Sequence, residues 1–161
     1  RILCDSRDEA ARRAIDELPA GEPCEPRRPR RPTPGMLSPS FVQVAGGELH
    51  CVMNAEADTV PLVVQHDAAS SIRTVEPIVR SLIGRRTVVA FDLPGSGLST
   101  DTLPPDPVPI EVYAERVAAG LDQLGIGQVD FYGMWGGGFV GLEIARLFPG
   151  RVRRLVLSNL F

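Results

Sequence analysis

Short apolar runs alternate with helical patterns along most of this chain, and that alternation limits the folds open to it more than any other feature of the sequence. A short continuous apolar run is expected of a strand that is covered on both faces. Such strands, when they alternate with helices over short loops, predict an α/β fold with a parallel sheet. The runs are VPLVVQ (60–65), RTVVAF (86–91), QVDFY (128–132) and VRRLVLSNL (152–160).

Three helical patterns and one hairpin complete the predicted sheet. Apolar residues recur at steps of three and four in the helical patterns, and Gly46-Gly47 joins the two hairpin strands. The predicted fold class is therefore α/β, a mostly parallel sheet with an N-terminal β-hairpin and flanking helices. The helical patterns cover 75–83, 110–124 and 139–148, and the hairpin strands cover 41–45 and 48–53.

The first 36 residues differ from the rest of the chain. RDEAARRAIDEL (7–18) can form one short helix. PAGEPCEPRRPRRPTPG (19–35) is rich in proline, which opposes both helix and sheet. We predict a disordered Pro/Arg-rich arm over 1–36, with a solvated linker favoured over a segment that binds an acidic partner, and one domain over 37–161.

Composition excludes several classes of function. The net charge is −3, which argues against a dominant nucleic-acid-binding surface. Every basic residue is an arginine, which we interpret as a composition bias of the source. No apolar run approaches the roughly 18 residues that span a membrane, and the charged first residues do not form a signal peptide. We therefore expect a cytoplasmic protein. Cys4, Cys24 and Cys51 lie far apart, so no metal site and no disulfide is predicted, and no cofactor is expected.

Polar and small residues follow each buried strand. The carboxyl ends of parallel strands meet at one edge of a sheet, where ligands bind. We call this edge the rim and expect a small-molecule site there. Its predicted substrate-binding residues are His66, Asp67, Ala68, Gly133, Met134 and Gly137.

Three motifs resemble the α/β-hydrolase superfamily. They are FDLPGSGLST (91–100), LGIGQVDFYGMWGGG (124–138) and FPGRVRRLVLSN (148–159), and the resemblance extends over residues 41–161. It implies the N-terminal part of a hydrolase sheet, shortened at its C-terminal end. It also implies hydrolysis of ester-like or other small acyl or carbon–halogen substrates without a cofactor.

The resemblance assigns the nucleophile elbow, the sharp turn that carries the reactive side chain, to YGMWGGG (132–138). Counting back from Pro149 and forward from Leu124 places Trp135 at the nucleophile position. A competing register, which needs one inserted residue, places Met134 there. Neither is a nucleophile, although the Gly136 amide would still point at a developing oxyanion.

The remaining catalytic parts expected from the resemblance are also missing. His66 matches the His of the family's His-Gly pair, but Asp67 replaces the glycine and adds negative charge where an oxyanion would form. The family's acid and base follow later strands, whereas this chain ends at Phe161. HDAASS (66–71) with the elbow is similar to a subset of the superfamily that has no elbow serine.

These observations predict a hydrolase-family chain that is inactive or impaired as it stands. The alternatives are a non-catalytic binding protein that uses Trp135 as a platform, and an incomplete gene product. Ser70 and Ser71 are the only serines worth testing as substitute nucleophiles, and otherwise they would cap the following helix.

Three further expectations concern structure. His50 is expected at a surface or an edge, and Asp92 is expected to cap the loop after its strand. The last strand, 152–160, is expected to leave an apolar edge through which the chain self-associates.

Overall fold

A computed structural model describes residues 35–56, 59–100, 103–104 and 107–159. Most of the predicted N-terminal arm, residues 1–34, lies outside the described part. The strands are β1 Ser38–Val44, β2 Gly47–Met53, β3 Leu62–Gln65, β4 Val88–Phe91, β5 Val129–Met134 and β6 Val152–Ser158, and the helices are α1 Ile72–Ser81, α2 Ile110–Gln123 and α3 Gly136–Leu147.

The strands form one six-stranded sheet in the order β1-β2-β4-β3-β5-β6. Strands β1 and β2 are an antiparallel hairpin, and β2 also pairs antiparallel with β4. The pairs β3–β4, β3–β5 and β5–β6 are all parallel. The predicted fold class, a mostly parallel sheet with an N-terminal hairpin and flanking helices, is thus confirmed.

Two hydrophobic clusters cover the two faces of this sheet. Residues that are adjacent in one strand point to opposite faces, so Val63 packs in one cluster and Val64 in the other. Helices α2 and α3 contribute Leu121 and Ile144 to the larger cluster, around Phe131. Helix α1 contributes to the smaller one. Burial on both faces explains why the inner strands are continuously apolar.

Two helices begin earlier than the sequence pattern predicted. The pattern placed the start of α1 at Val75, but the helix begins at Ile72, because the Asp92 carboxylate accepts a hydrogen bond from the Ile72 amide at 2.7 Å. Similarly, α3 begins at Gly136 and not at Phe139. Its first three residues are glycines, which carry no hydrophobic pattern to reveal a helix.

Helix α3 starts unusually close to the strand before it. A Cβ atom on Gly133, in β5, would lie 2.5 Å from the Gly137 carbonyl oxygen and 2.5 Å from Gly138 Cα. These are backbone atoms, which cannot rotate away. Glycine at 133 is therefore a requirement of how tightly the turn between β5 and α3 folds back.

We expect Gly133→Ala to lower the free energy of unfolding by about 1–3 kcal/mol, because the added methyl group must push β5 and α3 apart. Urea denaturation followed by circular dichroism measures this. Gly127→Ala is the control, since a Cβ there meets nothing within 4 Å, and it is expected to change stability by less than about 0.5 kcal/mol. Equal effects of the two substitutions would contradict the close-approach argument.

Candidate functional site

The structure brings the segments that follow β3, β4, β5 and β6 together at the rim. Gln65 lies opposite Gly133 in the parallel pairing of β3 with β5. Its side-chain amide donates to the Phe91 carbonyl at the end of β4, at 3.0 Å. On the other side, the Trp135 amide donates to the Ser158 carbonyl at the end of β6, also at 3.0 Å.

Trp135 occupies the turn between β5 and α3 in a strained backbone conformation. Its φ is 50° and its ψ is −126°, a combination that side-chain-bearing residues rarely adopt. Met134, by contrast, is the last residue of β5 and pairs regularly with Ser158. The strained position is therefore Trp135. Its side chain is 49% exposed at the rim.

The amino end of α3 packs directly against the end of β3. A Cβ on Gly137 would lie 2.3 Å from the His66 carbonyl oxygen and 2.7 Å from that of Gln65. Side chains are therefore excluded at this position, and the first amides of the helix come close to the loop after β3. That loop, residues 66–71, carries several of the predicted site residues.

The Asp67 carboxylate joins the two loops of the rim. Its Oδ1 accepts a hydrogen bond from the Gly136 amide at 3.0 Å and another from the Ala68 amide at 2.9 Å. The Gly136 and Ala68 amides thus converge on a single oxygen atom. The sequence marked Asp67 as unusual, since it replaces a glycine of the family motif, but gave no sign of the contact with Gly136.

His66 is fully buried and holds the loop from inside. Its Nδ1 lies 2.5 Å from the Asp67 carbonyl oxygen, which can only accept, so Nδ1 carries a proton. Its Nε2 lies 3.3 Å from the Leu93 amide nitrogen and 3.6 Å from Asp92 Oδ1. Both ring nitrogens of this buried imidazole are engaged, so His66 positions the loop and is not free to act as a base.

Asp92 is a buried carboxylate with three donors. Its Oδ1 accepts from the Ile72 amide, and its Oδ2 accepts from His50 Nδ1 at 2.8 Å and from the Leu98 amide at 2.9 Å. Burial alone would raise the pKa of Asp92, but these hydrogen bonds and the nearby His66 ring hold it well below its ordinary value. Asp92 therefore ties α1, β2 and the loop after β4 together, and the loop-capping role expected for it is one part of this.

Gly97 makes room for the loop to close around that carboxylate. It has a φ of +54°, and a Cβ there would lie 2.2–2.4 Å from the carboxylate atoms of Asp92. This is the physical reason for a glycine within DLPGSGLS. The motif thus closes around one buried charge and donates one backbone amide, that of Leu98, to it.

The expectation that His50 lies at a surface or an edge is wrong. The residue is 8% exposed and lies in β2, which is paired on both sides, by β1 and by β4. Its hydrogen bond to Asp92 compensates for burying an imidazole. The signal available in the sequence was a polar residue in the apolar strand ELHCVM. Its partner, Asp92, follows β4 and could not be identified without the pairing of β2 with β4.

Ser70 and Ser71 lie in the same loop as Asp67 but face elsewhere. The Ser70 hydroxyl hydrogen-bonds with the Thr74 hydroxyl, and Ser71 is the N-cap residue of α1 without a side-chain capping bond. Ser71 also lines a cavity of about 490 Å³ beside His50 and Asp92. Among the described hydrogen bonds, none joins either hydroxyl to the Gly136 amide.

Two searches of the described residues gave negative results. No group of three or more His, Cys, Asp or Glu side chains is arranged to hold a metal ion within the described ranges. None of the helices in that part of the chain is long and apolar enough to cross a membrane.

We expect Asp92→Asn to lower the free energy of unfolding by about 3 kcal/mol at pH 7, because the amide cannot accept from all three donors. The folded-state pKa of Asp92 is depressed, so its stabilisation is present above about pH 4 and is lost as pH falls further. The difference between wild type and variant should therefore shrink from pH 7 to pH 2.5.

Urea denaturation at the two pH values measures this difference. Asp130, whose pKa is lowered to about 2 by Arg153, against the effect of burial, and by Arg86, is the same in both proteins and cancels. Glu76→Gln, which breaks a surface ion pair with Arg80, is the control and should cost less than about 1 kcal/mol. An Asp92→Asn penalty that grows on acidification would contradict the assignment.

Sequence comparison identifies relatives of known family. Residues 61–160 match the family described as alpha/beta hydrolase fold. The chain is 33% identical over 98 residues to a poly(3-hydroxyalkanoate) depolymerase of Ectopseudomonas oleovorans, an alignment that covers 61% of this chain and 34% of the relative. It is 35% identical over 112 residues to the RutD protein of Pseudomonas savastanoi pv. phaseolicola, named for carbamate hydrolysis, with 70% and 42% covered.

Solved structures agree with the sequence comparison. A hydrolase of Pseudomonas aeruginosa PA01 superimposes with a TM-score of 0.66 at 28% identity, over 74% of this chain and 44% of the other. The N-acyl homoserine lactonase AidH superimposes with a TM-score of 0.67 at 30% identity, over 76% and 44%. The chain spans about a third to two fifths of the length of these curated relatives.

Proposed function

This chain belongs to the alpha/beta-hydrolase fold family, and from that premise we propose that it is a hydrolase-type protein whose small-molecule rim lacks the nucleophile for covalent hydrolysis. Its relatives are named as hydrolases. By resemblance, the substrates of the complete catalytic apparatus would be ester-like or other small acyl or carbon–halogen compounds. As it stands, the chain would be inactive or impaired.

The observation that carries this proposal is the backbone of Trp135. A nucleophile elbow holds its reactive residue in strained geometry between a strand and a helix, with the side chain exposed. Trp135 has that placement, with φ of 50° and a side chain that is half exposed. An indole cannot form the covalent intermediate that Ser, Cys or Asp forms. The geometry therefore supports an elbow without a nucleophile.

The expected result is no hydrolysis of p-nitrophenyl butyrate above the buffer rate, and no labelling by a fluorophosphonate, which reacts with activated serines. The pair Ser70→Ala/Ser71→Ala tests whether either hydroxyl has taken over the role. If turnover were seen and were lost in that double variant, a substitute serine would be identified. Turnover that persisted in it and in Trp135→Ala would overturn the proposal.

A second candidate function is binding without catalysis, favoured by the 49% exposure of Trp135 at the rim. Trp135 is the only tryptophan in the chain, so its fluorescence reports on this position alone. We expect titration with short-chain alcohols and esters to shift or quench the emission with saturation. Trp135→Phe removes the signal and serves as the control. A flat response across the panel would count against a binding role.

We further propose that the chain self-associates through β6. This strand is the outer one of the described sheet, and Val156 on it is 54% exposed beside Leu157. Unpaired strand edges with apolar side chains invite pairing with another chain. Sedimentation velocity should therefore detect species larger than the 17.4 kDa monomer.

Val156→Lys should shift the association toward monomer, because a charged side chain opposes burial in an interface. Leu142→Lys, which places the same charge at an exposed apolar position of α3, is the control and should leave the association unchanged. A monomeric wild-type protein at all concentrations, or equal effects of both substitutions, would contradict the role of β6.

A further inference from the structure

The first amide of α3 has an acceptor that comes from far away in the sequence. The first amides of a helix have no partner within the helix. In this protein the Gly136 amide donates to the Asp67 carboxylate, 69 residues earlier, at 3.0 Å. That contact links the turn that carries Trp135 to the loop after β3.

A second amide from a different loop meets the same oxygen. Ala68 N lies 2.9 Å from Asp67 Oδ1, the atom that also receives the Gly136 amide. Two amides from separate loops that converge on one oxygen are the arrangement that stabilises a developing oxyanion. In this chain a carboxylate of the protein itself already fills that position.

The loop around Asp67 is held firmly enough to keep the carboxylate there. The Asp67 carbonyl accepts hydrogen bonds from His66 Nδ1 at 2.5 Å and from the Ser70 amide at 3.0 Å. On the opposite side, Gly136 leaves space for the carboxylate, since a Cβ at that position would lie 2.4 Å from Asp67 Oδ1. Glycine at position 136 is thus required for the Asp67 carboxylate to approach the start of α3.

We propose that Asp67 is an internal occupant of the Ala68–Gly136 amide pair and closes it to anionic ligands. A carboxylate or an oxyanion can reach these amides only if it displaces the Asp67 side chain, whose charge also repels it. Neutral ligands remain free to bind elsewhere along the rim. The inference rests on the proposed small-molecule role of the rim. It adds that the rim prefers neutral ligands to anionic ones.

Hydrogen exchange of the Gly136 amide tests the contact without any ligand. We compare the wild-type chain with Asp67→Asn, whose side-chain oxygen can still accept both hydrogen bonds, and with Asp67→Ala, which has no acceptor. Exchange at Gly136 should be slow in the first two proteins and faster by about tenfold or more in Asp67→Ala, since only that variant lacks the bond. Equal exchange rates in wild type and Asp67→Ala would overturn the proposal.

Titration with butyrate, followed by Trp135 fluorescence, tests the closure. We expect Asp67→Ala to bind butyrate with saturation. Its affinity should be at least tenfold higher than that of wild type or Asp67→Asn. 1-Butanol has the same alkyl chain without the charge and should give equal responses in all three proteins. Binding of butyrate to Asp67→Asn as tight as to Asp67→Ala would mean that charge alone excludes anions, and would overturn occupancy of the amides. Failure of both variants to bind would overturn the site.

These outcomes are separable from the proposed lack of covalent hydrolysis. The exchange measurement reports on one hydrogen bond and needs no turnover. An esterase activity found in the wild-type chain would overturn the proposed function, yet would leave slow exchange at Gly136 as direct support for the contact.

Discussion

The buried carboxylate of Asp92 is the interaction on which the rest of the rim depends. It accepts the Ile72 amide at the start of α1, His50 on β2 and the Leu98 amide in the loop after β4. A buried charge is tolerated only when its hydrogen bonds are satisfied, so the three donors must stay in place together. One side chain therefore sets where a helix begins and how a loop closes.

His66 connects the Asp92 loop to the loop that contacts the Trp135 turn. The residue after Asp92, Leu93, donates its amide to His66 Nε2, and the other ring nitrogen of His66 donates to the Asp67 carbonyl. The Asp67 carboxylate then accepts the first amide of α3. A continuous set of hydrogen bonds thus runs from the edge of β4 to the strained turn after β5. Sparse, well-satisfied polar contacts of this kind define a single arrangement of loops.

The turn itself combines strain with close packing. A residue such as Trp135 in a sparsely populated backbone region costs about 1–3 kcal/mol, which the surrounding structure must offset. Its amide is bound by Ser158 and its carbonyl by Gly138, while Gly133 and Gly137 let β3, β5 and α3 approach each other. The side chain that this strained turn exposes is an indole.

Features that depend on residues close together in the sequence could be predicted, and features that depend on distant residues could not. Strands β3 to β5 were readable because burial on two faces leaves a continuous apolar run, and a two-glycine turn marks the hairpin. Strand β6 was also expected to be covered on both faces, but none of its residues is buried. The starts of α1 and α3 were misplaced, since one depends on the distant carboxylate of Asp92 and the other on glycines without a pattern. His50 was assigned to a surface or an edge because nothing in the local sequence reveals its partner Asp92, which follows β4.

The sequence alone determined the α/β class, the alternation of strands and helices, and the absence of a serine, cysteine or aspartate from the predicted elbow, because these depend on residue type and local spacing. Only the tertiary structure decided that Trp135 is the strained residue, that Asp92 is a buried tie and that the Asp67 carboxylate meets the Gly136 amide. The physical reason is that hydrogen bonds act over about 3 Å in space. Residues 67 and 136 become neighbours only when β3 and β5 pair side by side.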